Sequence, residues 1–519
     1  MVQFAKSHVA ANPRPSGPMR ELARVREEDA ESGCHRVFRK NGLIPKVKVE
    51  YGNLCDGVRK FPYIKLSSWV EYLLETDRLP RQLVGCSSVG KMKKVLSEFW
   101  KRFRAIRPDY GLFELSDAGR IPLETAIPFF SRTDEGRSYK HLGLWVLSSH
   151  GVLGRGTRRY LESQSHLKPL ENNEMGLNFA GATWATQFIF STMIKTTYTK
   201  HPEAQDELVR LYAEDVKELL FEGITKRDGS IKVHLVHIGT KGNLPALVRL
   251  GGFERSFSHV PRQSSSRTPC KGICHLCLAG VEMGHEYDRS IPFEDMLPTA
   301  LWIETLHTSV AWSSPPTILD GLPLLEKYAI EFFLTDLWHN FHLGVSKSFV
   351  GSAWVSIIEA NMDCLRGSVE TKFSQLTSMY LEFFRSQGKT PFITEISRET
   401  MGFPMGSVCP VAKWSKGQAS TEMMLFLDHW CKQYIVNKTD DPLLLAIVSP
   451  FSFSMYTFCK LSENLCIKGV GFFCSLHTFP PTSLLPLRLR VPVSSTRPLL
   501  HNMAQGTGFE VRKRLGWEA

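Results

Sequence analysis

The chain lacks the features of exported and membrane-spanning proteins. Its first residues, Met1 to Gly17, have no apolar run after their first charges, so no signal peptide is expected. The longest late stretch without charge, Gly469 to Leu487, is interrupted by three prolines and a histidine. Such a stretch does not predict a membrane span, and no membrane partner is expected.

Cysteine is scarce and unevenly distributed. Twelve cysteines in 519 residues, three of them between Cys270 and Cys277, do not suit a disulfide framework. They favour a reducing intracellular compartment, nuclear or cytoplasmic. A hydrophobic fraction of 43% with 22% charged residues excludes fibrous and broadly disordered proteins. A chain of this length can form two or three domains.

Positive charge is in excess. The 63 Lys and Arg against 52 Asp and Glu give a net charge of +11 and a pI near 9.0. This balance favours a polyanionic partner, here DNA, over a merely basic protein without one. Val89 to Ile106 predicts a basic helix, for which a solvated charged face is the alternative interpretation. The candidate nucleic-acid-binding residues on it are Lys91, Lys93, Lys94, Lys101, Arg102 and Arg104.

A cluster of soft ligands occupies the middle of the chain. A Cys-x-x-Cys pair can place two thiolates on one tetrahedral zinc from a single turn. The preceding segment, 256–269, is rich in Ser, Arg and Pro, and a structural zinc would explain how it is held. His275 or His285 could replace one ligand, and buried reduced thiols are the alternative to a metal. The expected zinc ligands are His259, Cys270, Cys274 and Cys277.

The patterns on either side of residue 134 follow the order strand, strand, strand, helix, strand. The predicted elements are Ile121 to Ser131, Leu142 to Ser148, Phe179 to Met193, the amphipathic helix Pro202 to Glu222, and Ile231 to Ile238. This is the opening order of a ribonuclease-H-like domain. In that fold, carboxylates at the ends of the first and fourth strands hold two divalent cations.

Asp134 stands at the end of the first predicted strand and Asn243 just after the fourth. An amide offers a neutral oxygen but lacks the negative charge that holds two Mg²⁺ or Mn²⁺ ions close together. Two-metal catalysis is therefore expected to be impaired or lost. A plain hairpin loop is the alternative interpretation of Asp134.

The order of these motifs resembles the cut-and-paste DDE transposases of the CACTA and Plavaka type, and most closely the large sets of transposase-derived proteins in some protist genomes. The motifs are a strand-end acid, Gly242-Asn-Leu-Pro-Ala246, Ser258-His259 before Cys-x-x-Cys, and Asp336-x-x-His339 before Leu343-Gly-Val345. The resemblance covers roughly residues 120 to 360.

The resemblance implies roles for particular residues. Asp134 would be the first catalytic acid, Asn243 would replace the second, and Asp336 with His339 would precede the last acid. Asp336 is itself a catalytic candidate, while a buried Asp–His pair in the core is the alternative. Spacing does not choose the third acid among Glu359, Glu395, Glu399, Glu422 and Asp428.

The expected fold class is α/β, a ribonuclease-H-like mixed sheet with an inserted zinc knuckle and helical flanking segments. The expected divisions are a mobile basic arm at 1–55, a small helical and DNA-binding domain at 56–118, the ribonuclease-H-like domain at 119–435 with the knuckle at about 254–290, and an irregular Pro-, Phe-, Ser- and Leu-rich tail at 443–519. Late helices are predicted at Leu322 to Thr335, Trp338 to Ala360, Ser368 to Ser386 and Ser420 to Val436.

The favoured function is that of a transposase-derived nucleic-acid-binding protein with impaired catalysis. Zinc would be structural, and Mg²⁺ or Mn²⁺ would bind only in a catalytic protein. No small-molecule cofactor is expected, and the sequence does not exclude an oligomer. The alternatives are an active DDE-type DNA strand transferase or nuclease, and a zinc-stabilised protein-interaction module without nucleic acid.

Overall fold

The structure is a computed structural model. It describes residues 1–55, 59–137, 143–154, 186–256, 271–281, 291–293, 295, 297–336, 339–403 and 410–448. The strands are β1 Glu50–Leu54, β2 Arg59–Tyr63, β3 Ala126–Arg137, β4 Gly143–Gly151, β5 Phe188–Ile194, β6 Ile224–Thr225, β7 Lys232–Gly242 and β8 Phe333–Thr335.

Helices precede, interrupt and follow the strands. The α-helices are α1 Val2–Ala11, α2 Gly17–Ala23, α3 Ala30–Lys40, α4 Leu66–Glu75, α5 Val89–Ile106, α6 Leu112–Asp117, α7 Lys195–Lys200, α8 Pro202–Phe221, α9 Leu244–Leu250, α10 Leu301–Glu304, α11 Ser346–Glu359, α12 Val369–Ser386 and α13 Gly417–Tyr434. Shorter 3₁₀ turns lie at Leu123–Thr125, Thr317–Leu319 and Glu326–Phe332, and π-helical turns at Pro80–Val84 and His339–Val345. Among the described residues, no helix is long and apolar enough to cross a membrane.

A six-stranded mixed sheet forms the centre of an α/β protein. Its strand order is β5-β4-β3-β7, with β6 and β8 both paired to β7. The pairs β5–β4 and β4–β3 are antiparallel, whereas β3–β7 and β7–β8 are parallel. Helix α8 connects the antiparallel half of the sheet to β7, as a parallel β3–β7 pair requires a long crossover.

Alternation along β3 gives its two faces different chemistry. Phe129, Ser131 and Thr133 share one face, and Phe129 stacks on the ring of His237 in β7 with centroids 4.7 Å apart. Helix α8 covers this face, where the hydroxyl groups of its Tyr212 and of Ser149 in β4 lie 2.7 Å apart. The opposite face of β3 carries Phe130, Arg132 and Asp134.

Helices α4 and α5 share one hydrophobic core with the sheet. Buried residues of α5 and β3 belong to the same cluster, and the Trp100 indole N–H donates to the backbone oxygen of Ala126 at 2.8 Å. Residues 56–118, expected as a small helical domain, therefore have no core apart from that of the sheet. The amphipathic pattern predicted α5 with its observed ends, but such a pattern does not say which partner covers the apolar face.

A second core begins after β8. It is built from α11, α12 and α13 around the fully buried Trp354 and Trp430. The region expected at 119–435 as one domain thus contains two cores. Ser368 caps α12 by accepting a hydrogen bond from the Thr371 N–H, so the helix predicted at Ser368 to Ser386 is confirmed.

Two expectations at the chain's ends are corrected. Residues 1–55 contain α1, α2, α3 and β1, with a small core of their own around Val2, Leu22 and Val37. Residues 442–448 are helical, and Leu444 and Ile447 pack into the second core, so the expected irregular tail does not begin at 443. The expectations for 449–519 lie outside the described residues.

The prediction of a helix at Leu322 to Thr335 is wrong. The segment ends instead in β8, which pairs with the last residues of β7. Its apolar run, Phe332-Phe-Leu334, is too short for periodicity to separate a buried strand from a buried helix. Of the predicted third strand, the described part starts at Phe188, and 179–185 lie outside the described residues.

Candidate functional site

Three predicted site residues meet where β7 and β8 end, beside the last residues of β3 that pair with β7. Thr133 of β3 pairs with Gly242 of β7, which places Asp134 beside Asn243. The backbone N–H of Asp336, directly after β8, donates to the Gly242 oxygen at 2.9 Å. Parallel strands end at the same edge of the sheet, so residues far apart in sequence are brought together here. We call Asp134, Asn243, Asp336 and His339 the strand-end cluster.

Gly242 permits the close approach of β7 to β3 at this edge. A Cβ atom at position 242 would lie 2.6 Å from the Thr133 oxygen, a distance that real side chains do not tolerate. The absence of a side chain lets the two backbones remain paired up to the last residue of β7. Asn243 therefore leaves the sheet within reach of the Asp134 carboxylate.

Asn243 is held by two hydrogen bonds of opposite sense. Its Oδ1 accepts from the Ala246 N–H at 3.0 Å and so caps α9. Its Nδ2 donates to Asp134 Oδ1 at 2.8 Å. Because a backbone N–H needs an acceptor and a carboxylate needs a donor, only one orientation of the amide satisfies both partners. The amide oxygen is turned toward the helix, and the N–H group is turned toward Asp134.

The Asp134 carboxylate has further donors. The Glu135 N–H reaches Oδ1 at 2.8 Å, and Arg132 Nη2 lies 3.4 Å from Oδ2. The side chain is 30% exposed, so water also reaches it. Asp134 lies within β3 rather than in a loop, because β3 continues to Arg137. The hairpin-loop interpretation of Asp134 is therefore wrong.

Asp336 and His339 form the predicted pair. His339 Nδ1 lies 2.9 Å from Asp336 Oδ2, with side chains 32% and 23% exposed respectively. The hydrogen bond to Asp336 raises the pKa of His339 above its ordinary value, the negative charge of Asp134 adds to the rise, and partial burial opposes it. The negative charges of both acids in the strand-end cluster thus favour the protonated form of His339.

Two basic residues complete the surroundings, and the sequence analysis missed both. Arg132 and Lys241 stand two residues before Asp134 and Asn243, so strand alternation places each on the same face as its acidic or amide neighbour. Lys241 Nζ lies 4.0 Å from the centre of the Phe130 ring. Burial lowers the pKa of Lys241 to about 8, and the Arg132 charge adds to this, while Asp336 acts in the opposite direction.

This arrangement does not fit a pair of divalent cations. Two-metal sites need carboxylates that jointly face ions about 4 Å apart. Here the amide N–H of Asn243 occupies the space between the two strand ends, and Arg132 and His339 neutralise the two acids. The two carboxylates are instead paired with hydrogen-bond donors and basic side chains of the protein itself.

Two of the five third-acid candidates are engaged in the second core. Glu422 is buried, and its Oε2 accepts from the Phe392 N–H at 2.7 Å and from the Tyr380 hydroxyl at 3.1 Å. Asp428 pairs with Lys432 one turn later on α13 at 2.6 Å. Glu422 thus has a structural role in the second core, whereas the Asp428–Lys432 pair is exposed, and the position of a third acid stays a prediction.

The predicted zinc ligands are described in part. Cys274 and Cys277 hydrogen-bond to each other, which lowers the pKa of Cys274 to about 6 and raises that of Cys277. The Arg255 charge adds to the lowering at Cys274. Two thiols that share one proton are suited to a metal that replaces it. His259 and Cys270 lie outside the described residues, and the ring of His275 stacks on Phe253 at 5.0 Å.

The six basic candidates on α5 fall into two groups. Three are ion-paired and three are exposed. The ion pairs are Lys93–Glu124 at 2.8 Å, Arg102–Glu98 at 2.6 Å and Arg104–Asp117. Lys91, Lys94 and Lys101 form no ion pair with any residue that the structure describes, and their spacing places them on one side of the helix.

The Asn243→Asp substitution tests the charge of the strand-end cluster. It places a second carboxylate in hydrogen-bonding range of Asp134, so we expect the metal-free variant to lose about 1–3 kcal/mol of stability. Mn²⁺ should recover that loss, because an ion bound only by the folded state stabilises it. The measurement is the thermal unfolding midpoint with and without Mn²⁺.

The matched control is Asn437→Asp, which adds the same charge at an exposed position after α13. Its unfolding midpoint, like that of the unmodified protein, should not respond to Mn²⁺. A response of the unmodified protein as large as that of Asn243→Asp would mean that position 243 does not limit cation binding.

The His339→Gln substitution tests the Asp336–His339 pair. A raised pKa in the folded state contributes stability that is complete below the unfolded pKa, near 6.5, and is lost as pH rises through the folded pKa. We expect the unmodified protein to exceed His339→Gln by about 0.5–1 kcal/mol at pH 5.5, and by less at pH 8.5. Urea unfolding at both pH values measures this, with exposed His35→Gln as the control. An advantage that grows with pH would contradict the pairing.

Comparisons of the chain with protein-family models and with curated proteins find no match to either. The strand-end cluster has three features. One amide donates to an acid, one acid pairs with a histidine, and two basic side chains lie on the same face of the sheet. Each acid of the cluster thus has a hydrogen-bonding or ionic partner within the protein.

Proposed function

We propose that the protein is a transposase-derived nucleic-acid-binding protein in which the paired-cation site has been replaced by internal hydrogen bonds. The observation that carries the proposal is the donation from Asn243 Nδ2 to Asp134 Oδ1. A catalytic site of this kind needs oxygen ligands at both positions. An N–H donor at one of them repels a cation.

The topology supports a ribonuclease-H-like ancestry. Strand β3 lies between β4 and β7, three antiparallel strands precede the crossover helix α8, and β8 adds parallel to β7. This is the order expected for that fold from the sequence. Asp134 lies in β3 just beyond its pairing with β7, and Asn243 directly follows β7, so both are near the positions that the two leading carboxylates would have in that fold.

The charges of the site support loss of catalysis with retention of anion binding. Asp134 is compensated by Arg132, and Asp336 by His339. Lys241 adds a further positive charge, and the negative charge of Asp336 raises the Lys241 pKa against the effect of burial. Divalent cations would have to displace these groups. A phosphate would be attracted to Lys241 and to Arg132, whose ion pair with Asp134 is long at 3.4 Å and partly exposed.

Helix α5 supports a nucleic-acid-binding surface separate from the strand-end cluster. Trp100 binds the backbone of Ala126, which starts β3, whereas Asp134 lies eight residues further along. Eight residues of strand span roughly 26 Å. The exposed lysines of α5 therefore contact phosphates without help from the cluster, and DNA binding does not require Asp134.

Replacing Lys91, Lys94 and Lys101 together by Ala tests this surface. Each phosphate contact releases condensed counterions and contributes about 0.9 to the slope of log K against log salt on duplex DNA. We expect the slope to fall by about 2 to 3 and the affinity at low salt to fall at least tenfold. Fluorescence anisotropy with a duplex oligonucleotide at several salt concentrations measures both.

The matched control is the replacement of Lys93, Arg102 and Arg104 by Ala. Their charges are already neutralised by Glu124, Glu98 and Asp117, so the slope should change by less than about 1. An unchanged slope after the exposed triple substitution would rule out α5 as the contact surface. Metal-dependent cleavage of the same duplex by the unmodified protein would overturn the loss of catalysis.

A further inference from the structure

Three metal-binding residue types converge outside the strand-end cluster. Cys55 directly follows β1, and His201 and Glu203 lie on either side of Pro202 at the start of α8. One donor atom from each residue lies within 4.8 Å of the other two. His201 Nδ1 and Glu203 Oε1 are 3.1 Å apart. The two parts of the chain are widely separated in sequence.

The backbone of Cys55 is held in place against α8. Its φ of 54° is left-handed, which is unfavourable for a residue with a Cβ atom. Its N–H donates at 3.0 Å to Glu207 Oε2, one turn beyond Glu203 and 152 residues away in sequence. Unfavourable backbone conformations persist where surrounding contacts impose them, and they are concentrated at functional sites. The thiol is consequently directed at the first turn of α8.

Two donors already converge on the Glu203 carboxylate. His201 Nδ1 lies 3.1 Å from its Oε1, and the Cys55 thiol is also hydrogen-bonded to the carboxylate. The carboxylate thus faces both a ring nitrogen and a thiol. A metal bound between these three groups would replace the thiol proton, and the ring proton would move to His201 Nε2.

The geometry points to a zinc site: we propose that Cys55 Sγ, His201 Nδ1 and Glu203 Oε1 bind one Zn²⁺, with a fourth position open to water. Zinc accepts sulfur, nitrogen and oxygen together, whereas Mg²⁺ and Ca²⁺ prefer oxygen alone. Tetrahedral zinc places its donors about 3.3–3.6 Å from one another, so only small side-chain rotations are needed. Glu203 is 52% exposed and His201 35%, which leaves solvent access to the fourth position.

The site would join the β1–β2 hairpin to the start of α8. Binding deprotonates the Cys55 thiol, and the proton of the neutral His201 ring moves from Nδ1 to Nε2, so one proton is released to solvent for each ion bound. No redox change is involved. The proposal uses none of the residues of the strand-end cluster or of the Cys274–Cys277 pair, and it stands whether or not the protein binds nucleic acid.

The first experiment counts zinc in the purified, reduced full-length chain. We expect Cys55→Ser to contain one zinc fewer than the unmodified protein. A Cys274→Ser/Cys277→Ser variant should retain one equivalent, which isolates the proposed site from the predicted zinc knuckle. In that background, His201→Asn and Glu203→Gln should each weaken zinc binding at least tenfold in competition with a chromogenic chelator.

The controls change the same residue types elsewhere. Cys364→Ser removes a partly buried thiol in the second core, and Glu214→Gln removes an exposed carboxylate of α8. Both should leave zinc content unchanged. Unaltered zinc content in Cys55→Ser, or no zinc in the Cys274→Ser/Cys277→Ser background when that variant is folded by circular dichroism, would overturn the proposal.

A second measurement observes the metal's coordination geometry directly. Cobalt substitution of the demetallated, unmodified chain should give tetrahedral d–d bands, with a thiolate-to-cobalt charge-transfer band that decreases by one thiolate equivalent in Cys55→Ser. Bands of an octahedral, oxygen-ligated ion, or a charge-transfer band that Cys55→Ser leaves unchanged, would contradict a Cys-His-Glu site.

Discussion

The hydrogen bond from Asn243 to Asp134 determines what the sheet edge can do. It joins the ends of two parallel strands, and it presents a donor where a cation site would require an acceptor. Hydrogen bonds to charged groups contribute about 1.5–3 kcal/mol when sheltered, and partial exposure reduces that amount here. The cap on α9 prevents the amide from turning its oxygen inward, since the Ala246 N–H would then lose its acceptor.

The register of the sheet brings Asn243 and Asp134 into contact. The β3–β7 register places Thr133 beside Gly242, and the missing side chain at 242 keeps the two strands paired to their ends. Strand β8 then brings Asp336 to the same edge. The π-helical turn that follows carries His339 toward Asp336 and His342 toward Thr421 of the second core, with 3.0 Å between the latter pair. The strand-end cluster thus lies at the junction of the two cores.

Much of this edge could be predicted from the sequence. The amphipathic spacing of α5 and α12, the strand order through β7, and the neighbouring positions of Asp134 and Asn243 follow from periodicity and from the way parallel strands align. Arg132 and Lys241 were also predictable from strand alternation, because each stands two residues before a residue of the strand-end cluster. They were not predicted because a single basic residue in a strand has no spacing that distinguishes it from an ordinary surface charge.

Other features required the fold. Helices α1 to α3 are only 7 to 11 residues long, and each supplies one or two of the buried residues that build their shared core. The three residues of β8 are too few to show alternation. Cys55, His201 and Glu203 are brought together only by the packing of β1 against α8, and no spacing in the chain indicates it.

The most direct test of the central claim observes the Asn243 side-chain amide itself. In protein labelled with ¹⁵N at asparagine, its resonance can be assigned by its loss in Asn243→Gln and followed while Mn²⁺ is added. A paramagnetic ion bound at Asp134 would lie within a few ångström of that amide and broaden it first. We predict that the resonance persists through several equivalents of Mn²⁺, because Asp134 accepts a hydrogen bond from this amide and does not bind the ion. Selective broadening at less than one equivalent would contradict the account, because it would place a divalent cation where the structure has a donor.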